Sequence, residues 1–372
     1  MDVELGPEDV VHLRLLKLGL SRPADTDPVA TVHRLGAVQS QDYGPATWSL
    51  GQRIPGLRAA DADRCFDSGE LIRTHVLRPT WHFVAPRDLR WLLALTAPRV
   101  HQLNAYYYRQ VGLDTEVLAA SRAAIERVLA DGEPRTRKQV LEGLAAAGVP
   151  VAGMAGTYAL MHAELEGVVC SGPRIGRHHS YVLLDARVPP APPAEAALAA
   201  DPDAALTELV HRFFASHGPA TVQDLRAWAS LTVADVRRGL EAAGDRLASA
   251  VVGGRTLWFE PPADPFRAPS PAVHLLQAYD EYLVGHADSR DLILPAGEYD
   301  LWGLRRRFNG VVVLDGRVAG DWRRRVTRGR VVVEVHPLRP FEGASADALQ
   351  AAADAHGRFL GDLTADLTVS SP

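Results

Sequence analysis

The order of elements in residues 204–260 constrains the fold more than any other feature of the chain. Leu206–Phe214 has the spacing of a helix, and Gly218-Pro219 ends it. Thr221 with Asp224, and Thr232 with Asp235, place a hydroxyl and an acid three residues apart, the spacing that closes a helix start. Two further helices are therefore predicted, one through Leu225 and Trp228, the other through Val236 and Leu240. Leu247–Val252 and Arg255–Phe259 flank Gly253-Gly254, a pair that suits a primed hairpin turn. Helix, turn, helix, hairpin is the layout of a winged helix.

The same order returns at residues 121–185. Thr136 and Gln139 form a capping pattern before Val140–Leu144, Gly148-Val149-Pro150 makes the turn, and Tyr158–Glu166 is the next helix. Val168–Ser171 and Tyr181–Leu184 are strands, and the Gly172–Ser180 loop between them would be a basic wing carrying Arg174 and Arg177. A third copy fits residues 28–86, with a helix opened by Asp27-Pro28, a helix at Ala60–Asp67, and strands around Arg78-Pro79. From Val273 onward the reading changes to a small β-rich region, with a hairpin at Asp315-Gly316 and a helix over Asp347–Phe359. The predicted class is α+β, in units at 1–95, 96–188 and 200–262 with a β-rich, Arg-rich end at 270–372. The Pro189–Pro193 run and the alanines to Ala200 read as a stiff exposed spacer.

Composition excludes several classes. The 372 residues are 47% apolar, enough to build packed cores rather than a disordered chain. No apolar run approaches the ~20 residues that span a bilayer, and the acidic start Met-Asp-Val-Glu-Leu is not a secretory signal, so the expected compartment is the cytoplasm. Cys65 and Cys170 stand alone, without a CxxC, and are read as two buried thiols. The net charge of −5 hides a basic segment: ten Arg face four acids between Asp300 and Phe341. Arg305, Arg306, Arg307, Arg323, Arg324 and Arg325 form its clusters, and an Arg fork suits phosphates.

Phosphate-loop, GxSxG and HExxH patterns are absent. Asp280, Glu281 and His286 have the residue types of a metal-dependent hydrolase, but their spacing fixes no metal geometry, and a polar loop of caps and ion pairs explains them better. No metal and no cofactor are expected. More unusual is Gln39-Ser40-Gln41, which follows an apolar helix and precedes Gly44-Pro45. On a helix these two glutamines would point ~200° apart, whereas extended backbone turns both to one side. On residue type alone, helix-end amides bonded to backbone groups account for them better.

Three segments in order, Gln39–Trp48, Arg73–Val84 and Tyr279–Leu283, resemble the AlkZ/YcaQ family of winged-helix DNA glycosylases. The resemblance covers essentially the whole chain. It implies three tandem winged helices around a DNA-binding channel, with Gln39 and Gln41 as the catalytic Gln-x-Gln pair. It also implies hydrolysis of the N-glycosidic bond of N7-alkylated purines and unhooking of interstrand crosslinks of the azinomycin type. The partner would be duplex DNA carrying alkylated or crosslinked purines, met by a monomer that needs no membrane. Arg78, the wing pair Arg174 and Arg177, and the C-terminal arginines named above would be its phosphate contacts. A non-catalytic winged-helix regulator or drug-sequestering protein is the alternative.

Overall fold

The computed structural model describes residues 4–262, 269–294 and 310–371. After α1 (Pro7–Lys17), the Asp27 carboxylate accepts the Ala30 N–H (2.8 Å) and opens α2 (Pro28–Leu35). A short strand β1 (Val38–Gln39) and helix α3 (Tyr43–Arg53) follow, then α4 (Ala59–Ser68) and the hairpin β2 (Ile72–Val76) and β3 (Arg78–Val84). β3 lies between β1 and β2, antiparallel to both.

The long α5 (Pro86–Gln110) leads into α6 (Thr115–Val128), β4 (Arg135–Thr136), α7 (Arg137–Ala146), α8 (Met154–Leu165) and the hairpin β5 (Val169–Ile175) and β6 (His178–Leu183). The Gly172–Ser180 loop expected from sequence is mostly paired strand: Gly172 faces Ser180, Ile175 faces His178, and Gly176 turns at φ +63°. The expected wing is therefore a tight hairpin end, closed by the ladder on both sides.

After the short α9 (Leu184–Arg187), a second departure from the sequence reading is α10 (Pro193–Ala200), a helix where a spacer was expected. Pro193 occupies the first helical position, which tolerates proline, and the alanines after it are the strongest helix formers. Its Leu198 and Ala199 pack on the main core, and Glu195 is buried against Arg87. The order α11 (Pro202–His217), α12 (Val222–Ala229), α13 (Val233–Ala243), β7 (Ala248–Val252) and β8 (Arg255–Phe259) matches the sequence reading, including both Thr–Asp caps. Gly253 and Gly254 carry φ of +58° and +76°, as the primed turn requires.

The C-terminal part holds β9 (Val273–Leu276), α14 (Glu281–Val284), β10 (Gly310–Leu314), β11 (Arg317–Thr327), β12 (Arg330–Pro337), α15 (Ala344–Phe359) and β13 (Thr364–Val369). Its five strands run in the order β13-β12-β11-β10-β9, with β12 and β13 parallel. The cores cross the unit boundaries. One cluster joins Ile72, Leu89 and Trp91 to Phe213, Trp228 and Leu247; another joins Leu35, Leu50 and Phe83 to Leu276, Tyr282 and Val313. That sharing places residues far apart in sequence around β1. Among the described residues no helix is long and apolar enough to cross a membrane.

Candidate active site

The site grows from the way the chain leaves α2. Gly36 ends the helix at φ +81°, and a Cβ there would stand 3.4 Å from the Trp228 ring. The chain then runs extended: Gln39 lies opposite His82 on β3, and the Ser40 N–H donates to the Trp81 carbonyl (2.7 Å). Gln39 thus lies on the strand, whereas Gln41 already stands in the bend that leads into α3, so the extended spacing expected from sequence holds for Gln39 alone.

Gln39 is held at both ends. Its backbone N–H donates to Glu281 Oε1 (2.8 Å), and its backbone carbonyl accepts from Gln277 Nε2 (3.3 Å). Its side-chain Oε1 accepts from Arg78 Nη2 (2.7 Å). Opposed residues of a ladder share a face, so Gln39 and His82 project together. Arg78 Nη2 also donates to His82 Nε2 (3.0 Å), and Nη1 donates to the Trp228 carbonyl. His82 Nδ1 lies 2.9 Å from the Thr80 carbonyl and so carries the proton, which leaves Nε2 as the acceptor that Arg78 needs. Burial first, then the neighbouring Arg78 charge, push the His82 pKa well below the imidazole range, so the ring is neutral.

Arg78 reaches this position because Leu77 turns the hairpin at φ +64°, a left-handed conformation that costs a non-glycine residue roughly 1–2 kcal/mol. Complete burial of Leu77, and its N–H bonded to Thr96 Oγ1 (3.2 Å), hold it there. Burial lowers the Arg78 pKa, and the Glu281 carboxylate offsets part of that effect. Glu281 Oε2 accepts from Trp228 Nε1 (2.7 Å) and lies 3.3 Å from His217 Nε2. One buried carboxylate therefore ties β1, α11, α12 and α14 together.

Gln41 differs in exposure. Gln39 is 5% exposed, whereas Gln41 faces solvent with its Oε1 accepting the Trp81 N–H (3.3 Å). The Trp81 indole is itself fixed. Arg73 lies over the ring at 4.6 Å, the His75 ring is 4.3 Å away, and Trp81 Nε1 donates to the buried Glu164 (3.3 Å). His75 Nδ1 bonds the other Glu164 oxygen (2.5 Å), and Arg73 Nε donates to the Ser40 carbonyl (3.1 Å). Neither glutamine lines a cavity, but two cavities are lined by their neighbours. One of about 1010 Å³ is lined by Arg73, Trp81, Tyr181, α7 and residues 149–153. The other, about 340 Å³, is lined by Asp42, Gln277, Tyr279 and Arg324. Each carboxamide keeps its NH₂ without a partner among the described residues, and each oxygen keeps one lone pair free.

A family model described as DNA glycosylase AlkZ-like matches residues 32–359. The chain belongs to the AlkZ-like family of DNA glycosylases. Over 316 residues it is 26% identical to a Streptomyces sahachiroi protein called interstrand DNA cross-link repair glycosylase, covering 80% of this chain and 82% of that one. The solved structure of the Streptomyces sahachiroi DNA glycosylase AlkZ superposes with a TM-score of 0.77 over 99% of this chain and 100% of that one, at 22% identity, and shows the same fold.

The arginines of this AlkZ-like chain are not one free patch. Arg78 was expected at phosphate, but its guanidinium is spent on Gln39, His82 and Trp228. Arg174 is engaged by Asp63 (2.9 Å) and Asp67 (2.6 Å). Arg323 pairs with Glu334 (2.5 Å) on the exposed sheet face, and Arg324 Nη1 bonds His356 Nε2 (2.9 Å). Arg177 and Arg325 are exposed. Arg305, Arg306 and Arg307 lie outside the described residues.

The Asp280–His286 segment performs caps and ion pairs. Asp280 caps α14 and takes two bonds from Arg53 (2.8 and 2.9 Å); burial opposes its ionisation, but Arg53 and the other donors lower its pKa on balance. His286 bonds the Tyr282 and His217 carbonyls. Cys170 is buried, which pushes its thiol up to about 12, while Cys65 is half-buried, contrary to the expectation of two buried thiols. Sequence reasoning did not reach His82, Trp228 or Gln277. Trp228 and Gln277 act through partners 53 and 238 residues away, whereas His82 bonds Arg78 only four residues away; no local pattern marks any of them.

Proposed function

We propose that this chain is a monofunctional DNA glycosylase that hydrolyses the N-glycosidic bond of N7-alkylated purines, including purines tied into interstrand crosslinks of the azinomycin type. The observation that carries the reading is a pair of neutral carboxamides two residues apart at the end of β1, each with its oxygen already oriented by a protein donor. An N7-alkylguanine is cationic, so the C1′–N9 bond breaks with its electron pair going to the base, which leaves neutral. No strong acid is needed. A water adds to C1′ of the oxocarbenium-like sugar and loses a proton, giving free base and an abasic site.

Fixed dipoles aimed at developing charge suit this step. The exposed Gln41 oxygen accepts from the attacking water, and the Gln39 carboxamide, held by Arg78, sets the position of the sugar edge. Neutral amides do this without an unpaired buried charge. No lysine acts as a Schiff-base nucleophile, so strand cleavage does not accompany excision. The three helix–helix–hairpin units are read as winged helices lining a duplex, with Arg177 and Arg325 meeting phosphates and the chain acting as a monomer. The reading is supported by membership of a glycosylase family and by the name of the Streptomyces relative.

The deciding measurement is release of 7-methylguanine from duplex DNA. Gln39→Ala and Gln41→Ala should each lower it more than tenfold, a barrier change above ~1.4 kcal/mol. Unchanged release in both variants would end the catalytic claim, and tight binding of undamaged DNA without base release would favour a regulator.

A further inference from the structure

We propose that His101, His162 and Glu166 form a binding site for a divalent transition-metal ion of the zinc class, separate from the glutamine pair and independent of the glycosylase reading.

The site lies where α5 packs on α8. His162 and Glu166 stand four residues apart at the end of α8, the spacing that stacks two side chains on one face of a helix. His101 meets them from α5. Ala97, Val100, Met161 and Leu165 are buried together and hold the two helices in this register. One ligand atom from each of the three residues lies within 4.8 Å of the other two. His101 Nε2 and Glu166 Oε1 are already 3.0 Å apart, and the two imidazole centroids are 4.6 Å apart. A tetrahedral ion with nitrogen and oxygen bonds of about 2.0–2.1 Å separates its ligand atoms by ~3.3 Å. Glu166 is exposed, so its side chain can swing to close the remaining gap.

The hydrogen bonding leaves the ligand atoms available. His101 Nε2 is buried, yet it makes no hydrogen bond among the described residues, because the Glu166 oxygen lies outside its N–H direction. His101 Nδ1 stands 3.0 Å from Tyr108 Oη, the kind of outer partner that fixes a ligating imidazole with its proton on one nitrogen and its lone pair on the other. In that tautomer the Nε2 lone pair faces a carboxylate oxygen, a contact that a bound cation relieves. The His162 ring packs against the rings of His101 and Tyr108. Two imidazoles and a carboxylate suit Zn²⁺ and its neighbours, whereas Mg²⁺ and Ca²⁺ take oxygens. Three protein ligands leave a fourth position for water. A cavity of about 510 Å³, lined by His101 and Glu166, opens beside them and shares no lining residue with the two cavities near the glutamines. The ion pins α8 to the long α5, so it acts on the stability of the second unit rather than on base release.

The test takes the full chain without an affinity tag, strips it with chelator and titrates Zn²⁺ in competition with a chromophoric chelator at neutral pH. Wild type should bind one equivalent. Co²⁺ in its place should give the visible bands of a four- or five-coordinate site. Saturating Zn²⁺ should raise the melting temperature, because the ion binds the folded chain. His162→Ala and Glu166→Gln should each weaken Zn²⁺ binding about tenfold or more, bleach the Co²⁺ bands and cancel the thermal shift. Glu166→Gln alters an exposed side chain, so it keeps the test open should His162→Ala fail to fold. Wild type that binds no equivalent of Zn²⁺, or variants that bind it as wild type does, would overturn the assignment.

Discussion

Replacing Arg78 by Met separates phosphate binding from the positioning of Gln39. Met keeps most of the buried stem and deletes the fork. Arg78 Nη2 stands 2.7 Å from Gln39 Oε1, and a hydrogen bond from a charged donor contributes about 1.5–3 kcal/mol. Where that energy holds the carboxamide in its reactive orientation, its loss slows single-turnover excision of 7-methylguanine by about 10- to 150-fold, at ~1.4 kcal/mol per decade. Duplex affinity, measured by fluorescence anisotropy across a salt series, should keep its slope, because the guanidinium is already committed to three protein acceptors. A phosphate contact would instead flatten the plot of log K against log salt by about 0.9. Arg78→Lys keeps the charge but cannot bridge the three acceptors, so it should behave like Met in rate. A flattened slope with an unchanged rate would refute the positioning role.

Glu281→Gln replaces an acceptor pair by one acceptor and one donor, so either the Gln39 N–H or the Trp228 indole N–H loses its partner; urea unfolding should show a loss of about 1–3 kcal/mol, and an unchanged midpoint would show that the carboxylate is not what closes the network. His286 and His356 are fully buried, and desolvation lowers each to about 3 against about 6.5 in an unfolded chain. Below pH 6.5 the unfolded chain binds protons that the native chain refuses, so stability is complete above that pH and falls on acidification by up to ~1.4 kcal/mol per pH unit for each ring. Melting temperatures should therefore drop steadily from pH 6.5 to 4, and a flat profile would contradict the neutral burial of these histidines.

What the sequence disclosed was short-range. Thr136 with Gln139, Thr221 with Asp224 and Thr232 with Asp235 are complete caps within four residues, so the helices they open could be placed from the chain alone. Gly253-Gly254 and Asp315-Gly316 likewise carry their turns in their own backbone freedom. The α10 helix escaped because a proline run masks the alanines behind it, and only its packing on the main core shows it to be structural. The glutamine pair was legible as a pattern, but its chemistry was not. Whether Gln39 is held or loose depends on Arg78 39 residues on and Glu281 242 residues on, and no window of sequence contains both. The same distance effect moved Arg78 from an expected phosphate ligand to a protein-bound brace.

The Glu281 carboxylate also sets a timetable for synthesis. The Gln39 strand leaves the ribosome early, yet the acid that grips its amide arrives only when three-quarters of the message has been read. Until then the indole of Trp228 and the N–H of Gln39 lack their common anchor. A nascent chain thus holds the side-chain donors of both glutamines, Arg78 and the Trp81 N–H, long before the acid that fixes the Gln39 backbone is made.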